Sequence, residues 1–497
     1  MKIVLYYIFI VILLLLGVGL LSLANKGILS LDKPYGRGLM NRLEPQSPVV
    51  AFRNVNVIPM DSERVLEDQI VIVRDGEIEM IGFRDQVRVP DDALVVDGQG
   101  KYLMPGLVDM HVHVVNENEL LLFAAHGVTS VRNMWGGMNG TDHLGWRARI
   151  EASEMFGPTI YTSGPVMEGP PKTMPLMEVY ADPESAVQAV NGQIDQGYDF
   201  IKVYDYIDLP TYEAIIETAQ ARGVKVVGHT PKKVGLERVL SSGQVTIEHL
   251  SGIIDNDAGE YIIPESELPK VAKMIADTGT YMCPTIAVYQ MYVPDKDLHL
   301  LEERPEMTLI STGMKFLWQY FSRPGAMGNV TYRGDYPARI NEMFLDTIRI
   351  LHENGVKFIL GTDSDNPYLV PGASLLDELD YLIEAGFSPY EAIETGTRNA
   401  ALAMGKSDEF GTVEVGKRAD LILLNNNPLE NVSAVRAQSG VMLRGRWLSE
   451  EQIQSMLDGL VESYKPNLFE RLWPLALIGL AVYLIVRKQA ALQGVTG

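Results

Sequence analysis

Two histidines stand one residue apart at the end of an apolar run, Met104-Pro105-Gly106-Leu107-Val108-Asp109-Met110-His111-Val112-His113. Strand side chains alternate faces, so His111 and His113 point the same way, with their imidazoles close enough to hold one metal ion. Four more polar groups close apolar runs of the same kind: Lys202 ends 198–202, His229 ends 224–229, His249 ends 245–249 and Asp363 ends 358–363. Metal-binding groups at the C-terminal tips of successive buried strands are what an active site at one mouth of a (β/α)8 barrel requires.

The elements that must position these groups follow from the hydropathy pattern. Strands are expected near 107–114, 127–132, 158–163, 199–204, 224–229, 245–250, 280–285 and 357–363, the eight that closure needs. Between them, stretches such as 209–221 and 376–385 carry apolar residues at three-to-four spacing and read as covering helices. Ahead of the barrel, short β-rich runs at 49–52, 69–73, 78–81 and 93–96 alternate with turn signals such as Asp75-Gly76 and Asp97-Gly98.

These residues resemble the amidohydrolase superfamily, in particular its binuclear, lysine-containing members of the imidazolonepropionase and Xaa-Pro dipeptidase branch. The resemblance runs from about residue 50 to 441. It takes in Gly127-Val-Thr-Ser-Val-Arg132, the Lys202 strand, Gly228-His229-Thr230, Glu248-His249-Leu250, Leu360-Gly-Thr-Asp363 and Gly411-Thr-Val-Glu-Val-Gly-Lys-Arg-Ala-Asp420. It implies an α/β chain: a TIM-like barrel over 105–408 and a small, discontinuous β-sandwich-like domain over 48–104 plus 409–450. The barrel would carry an insertion at 286–355, holding five tyrosines and Trp318, that reads as a lid or as a helical decoration.

On this reading His111, His113 and Asp363 hold one divalent ion, His229 and His249 hold a second, and Lys202 bridges them as a carbamate. A protonated lysine has no lone pair and repels cations, whereas a buried, neutral lysine can take up CO2 and become an anionic oxygen ligand. Two such ions share a hydroxide and polarise a carbonyl. Asp363 would move the proton from that hydroxide to the leaving nitrogen. Zinc suits imidazole and carboxylate, with manganese, cobalt and iron left open. The expected reaction is hydrolysis of a C–N bond in an amide, cyclic amide or dipeptide. Ester or lactone hydrolysis on the same site and an inactive scaffold are the alternatives, and deamination is disfavoured by the bridging lysine.

Several residues are candidates for touching a small-molecule substrate. Tyr204 shares a face with Lys202 and could donate to the carbonyl oxygen, while Arg132, Asn133, Trp135 and His143 sit in or just after the second strand. Asn133 stands where relatives often carry Asp. Peptidase-like relatives carry a Gly-Gly-His segment where this chain reads Ser163-Gly-Pro-Val-Met-Glu-Gly-Pro-Pro171, which brings lactams and N-acyl substrates level with dipeptides.

Composition excludes other classes. A formal charge of -22 and no basic stripe rule against nucleic acid, and Cys283, the single cysteine of 497 residues, rules out an internal disulfide and a cysteine-based zinc cluster. Residues 3–24 are uncharged and read as a transmembrane anchor or signal segment, with Ser22-Leu23-Ala24 as a cleavage site; 25–47 reads as a linker. A helical linker at 451–471 leads to a second possible membrane segment at 472–486. Lys26, Lys33, Arg37 and Arg42 after the first segment argue for a cytoplasmic barrel, but the resemblance favours export. The sequence-based expectation is a membrane-anchored, extracytoplasmic enzyme, with homo-oligomers left open.

Overall fold

The computed structural model describes residues 2–25, 34–174, 177–255, 260–292, 298–321 and 340–492. Among them, eight parallel strands wind in chain order: β1 (Leu107–Val112), β2 (Val128–Asn133), β3 (Thr159–Thr162), β4 (Phe200–Val203), β5 (Lys225–Gly228), β6 (Thr246–Glu248), β7 (Tyr281–Cys283) and β8 (Lys357–Phe358). β1 to β3 pair in sequence, as do β4 with β5 and β6 through β8. Shorter contacts join the pieces: Ser163 bridges Phe200 and Asp199 N donates to Thr162 O at 2.9 Å, while Val245 N donates to Val226 O at 2.9 Å. Closure falls beyond β8, where Met110 N donates to Leu360 O and Asp363 N to His111 O, both at 2.8 Å. All six residues of β1 and of β2 are buried, as strands covered by helices on one side and by the barrel interior on the other must be.

Helices cover the barrel for local reasons legible in their termini. Leu209–Ala221 starts at Asp208, whose carboxylate accepts from Thr211 N, with Pro210 in the first turn. Pro183–Gln196 starts at Asp182 and stops at Gly197, which adopts φ 95°. Ala373–Glu384 turns Leu375, Leu376, Leu379 and Leu382 inward.

The small domain is one sheet of eight strands among the described residues, drawn from Val49–Val57 through Tyr102–Pro105 and from Leu421–Leu424 through Arg446–Ser449. Its two sequence segments meet where Ile422 lies opposite Met104 in an antiparallel pair. The sheet curls enough for Trp447 near one edge to meet Phe52 edge to face, with ring centroids 5.2 Å apart. It leads directly into β1, since Gly106 N donates to Asp420 O at 2.8 Å.

The described helices of the 286–355 insertion, Ile286–Tyr292, Leu298–Glu302, Thr312–Phe321 and Ile340–Glu353, bury Trp318, Phe344 and Ile348 in the main core. Residues 293–297 and 322–339 of that insertion and 26–33 of the expected linker lie outside the described residues.

Among the described residues no helix is long and apolar enough to cross a membrane. This overturns the transmembrane anchor at 1–24, the second membrane segment at 472–486, the membrane as a partner, and the membrane-anchored, extracytoplasmic location. A span needs about 20 consecutive apolar residues. Leu475–Leu492 is 18 residues long and carries Arg487 and Lys488. It packs against the helix Lys2–Asn25.

Candidate metal centre

The period-two alternation of β1 brings His111 and His113 to one side, their ring centroids 5.4 Å apart. Asp363, just past β8, reaches both: its Oδ1 lies 3.4 Å from His111 Nε2 and 3.0 Å from His113 Nε2. Lys202, at the end of β4, puts Nζ 3.4 Å from His111 Nε2. His249, just past β6, has its ring centroid 4.6 Å from that of His111 and 5.0 Å from that of His229, which follows β5. All six side chains converge at the C-terminal mouth. Ligand atoms of His111, His249 and Asp363 lie within 4.8 Å of one another, a set that could hold a divalent ion.

Backbone conformation helps to aim these groups. His249 and Asp363 adopt φ 60° and 65°, and Thr285 beside His249 adopts φ 51°, a left-handed region disfavoured for residues other than glycine. Before His229 the chain needs glycine: Gly228 has φ 126°, and a Cβ there would lie 2.2 Å from Val203 O.

Each of three histidines has a different partner at Nδ1. His111 meets Glu248 Oε2 at 2.9 Å, His229 meets Asp205 Oδ1 at 2.7 Å, and His249 meets Thr285 Oγ1 at 2.6 Å. A partner at Nδ1 fixes ring orientation and leaves Nε2 to face the centre. His229 Nε2 and His113 Nδ1 are buried without a hydrogen-bond partner among the described residues.

Burial sets the protonation states. It holds His111 well below the usual histidine range, lowers His113, and takes His249 down to about 3, so these rings are neutral lone-pair donors at pH 7. Burial also pulls Lys202 down to about 8, against the opposing charges of Asp363 and Glu248. Burial alone would raise the Asp363 carboxyl, but the hydrogen bond from His113 and the nearby His249 and Lys202 hold it below the carboxylate range. The Cys283 thiol is raised well above its usual value by burial and the Glu248 charge, which makes it unreactive.

The weaker candidates are placed variously. The Tyr204 ring lies against His229, centroids 4.0 Å apart, and packs with Trp135, Val166 and Met177 in a small apolar cluster beside the centre. Trp135 stands 6.4 Å from the His113 ring. Arg132 lies deeper in the barrel, bonded to Glu248, Thr246 and Met110 O. Asn133 is buried, donating to Thr162 Oγ1 and accepting from Val114 N, and so braces the loop after β1. Both nitrogens of His143 are engaged, Nδ1 accepting from Gly137 N and Nε2 donating to Val114 O at 2.7 Å.

Sequence reasoning passed over Glu248, Asp205, Thr285 and Tyr289. Glu248 precedes His249 at the end of an inward strand, and that acid beside a histidine was the available signal. Tyr289, on the first helix of the insertion, sits 6.3 Å from the His249 ring.

A closed parallel barrel with imidazoles, a lysine and an aspartate at its C-terminal mouth defines a barrel hydrolase with a metal-binding site. The sequence profile of the amidohydrolase family matches residues 102–448, so the chain belongs to that family and is an enzyme hydrolysing carbon–nitrogen bonds. Among curated proteins it is 24% identical over 413 residues to the 5-methylthioadenosine/S-adenosylhomocysteine deaminase of Caldanaerobacter subterraneus subsp. tengcongensis, covering 76% of this chain and 84% of that one. Among solved structures it resembles bottromycin amidohydrolase, with TM-score 0.69, 24% identity, and coverage of 89% and 96%. A putative prolidase from Bifidobacterium longum gives TM-score 0.63, 24% identity, and coverage of 84% and 100%. At these identities the structural likenesses show the fold alone.

Proposed function

We propose that this chain is a binuclear metal-dependent hydrolase of an amide, cyclic amide or dipeptide bond. The observation that carries the reading is the convergence of His111, His113, Lys202, His229, His249 and Asp363, with His229 Nε2 buried and without a hydrogen-bond partner among the described residues. Imidazoles, a carboxylate and a lysine whose pKa is near 8 fit two divalent ions, with His111, His113 and Asp363 at one, His229 and His249 at the other, and carbamylated Lys202 between. Bound there, zinc ions would supply a Lewis acid for the carbonyl and a bridging hydroxide as nucleophile.

The chain's own residues do the rest. Asp363, kept ionised, accepts a proton from the attacking water and returns it to the leaving nitrogen. Tyr204 offers a phenol beside His229 for the carbonyl oxygen. Trp135, Val166 and Met177 supply an apolar wall suited to an uncharged acyl group. Glu168, in the segment 163–171, accepts from Gly169 N, Tyr206 N and Thr173 Oγ1, so its carboxylate is committed to holding that loop.

The test is turnover of a library of dipeptides, N-acyl amino acids and lactams with matched esters, with metal content measured on the same preparation. Two ions per chain and faster amide than ester turnover support the reading; two ions without any turnover refute it. A Lys202→Ala variant that keeps two ions and full turnover excludes the lysine bridge. The likeness to a deaminase supports a second reading, which one ion per chain and ammonia release from an aminopurine would favour.

A further inference from the structure

We infer that Glu248 and Arg132 form a buried positioning pair that selects the ring tautomer of His111, and so decides whether that imidazole can hold an ion. The inference rests on the metal reading above and goes one layer beneath it. Glu248 is fully buried, and its oxygens face donors: His111 Nδ1 at 2.9 Å from Oε2, Arg132 Nη2 at 2.8 Å from Oε1, and the Thr246 hydroxyl on the same Oε1. Arg132 cannot swing away to follow a change at 248. Its Nε donates to Met110 O at 2.5 Å and its Nη1 to Thr246 Oγ1 at 3.1 Å.

A carboxylate in that setting keeps the His111 proton on Nδ1. Nε2 is then left with its lone pair, and Nε2 is the nitrogen that faces Lys202 Nζ and Asp363 Oδ1, each at 3.4 Å. The opposite tautomer would set the Nδ1 lone pair against a carboxylate oxygen at 2.9 Å and put a proton where the ion belongs. His229 and His249 use Asp205 and Thr285 for the same purpose, but the His111 pair is the one that couples its carboxylate to a buried arginine.

This geometry makes an unusual prediction for a pair of variants. In Glu248→Gln the fixed guanidinium and the Thr246 hydroxyl claim the amide oxygen, so the amide nitrogen turns toward His111 and forces the wrong tautomer. Zinc affinity, measured by chelator competition, should fall about 10–100-fold. Adding Arg132→Met frees the glutamine to turn its oxygen to His111, so the double variant should recover most of that loss. A purely structural role predicts the reverse, a double variant worse than either single one. Independently of variant folding, the ring-nitrogen spectrum of histidine-labelled, metal-free wild type should show His111 protonated at Nδ1 and bare at Nε2. Wild-type zinc affinity in Glu248→Gln, a double variant weaker than Glu248→Gln, or a proton on Nε2 of His111 each overturns the inference. Wild-type protein that takes up fewer than two zinc ions would instead overturn the proposed function, with the tautomer spectrum still deciding this point.

Discussion

Replacing Lys202 by methionine should stabilise the metal-free protein while destroying its activity. The Lys202 ammonium is 2% exposed, and burial takes its pKa from 10.5 to about 8. That drop corresponds to about 3 kcal/mol. The sign follows from linkage: for a base whose folded pKa is depressed, the unfolded chain takes up the proton first as pH falls through 10.5. Stability is therefore lost between there and about 8, and the whole penalty is present at pH 7. Methionine keeps the length of the side chain and removes the charge. The attraction of Asp363 for the ammonium is already contained in the value of about 8, and a net stabilisation of about 1–3 kcal/mol is expected at pH 7. At pH 10 the remaining difference shrinks to roughly 1 kcal/mol or less. Urea unfolding of both proteins, metal-free and in CO2-depleted buffer, measures the gap at each pH. A variant less stable than wild type at pH 7, or a gap of equal size at both, would refute the reasoning. The same variant should bind fewer ions and turn over no substrate, the usual exchange of stability for function.

Asp205→Asn weakens the grip on His229, so metal affinity should fall about 10–100-fold while the metal-free unfolding temperature stays close to wild type; chelator competition and thermal unfolding read the two. Tyr204→Phe should lower kcat by about 10–100-fold with little change in KM if the phenol serves the carbonyl oxygen, and steady-state kinetics showing an unaltered kcat would remove it from that role. Glu378 accepts from Ile286 N and Ala287 N at the start of the insertion, and burial raises its carboxyl to about 8. Its raised folded pKa makes stability fullest below the ordinary 4.5 and progressively lost as pH rises through about 8. Hydrogen exchange at the Ile286 and Ala287 amides should show that slope in wild type and lack it in Glu378→Gln; equal slopes would contradict the assignment.

Much of the barrel was legible because parallel strands buried on both faces read as plain apolar runs, and each expected run holds an observed strand. The side chains at their tips were legible for the same reason, since a polar group closing such a run has nowhere to point but the mouth. At 3–24 and 472–486 a low-charge composition was taken for a membrane span, and among the described residues no helix is long and apolar enough to be one. The internal partners of His143 and Arg132 were not legible, because a sequence shows that a side chain can donate, not that its donors are already engaged with Val114 O or Glu248.

The order of strands, the shared face of His111 and His113, and the reactive groups that would converge are properties of local pattern, and the sequence determined them by itself. Which nitrogen of each imidazole faces inward was decided only by the tertiary structure. The partners at Nδ1 lie 137 residues away for His111, 24 for His229 and 36 for His249. Hydrogen bonds between groups so far apart in the chain exist only once the barrel has closed, because closure supplies both the distance and the dry surroundings that make a carboxylate hold a ring in one tautomer.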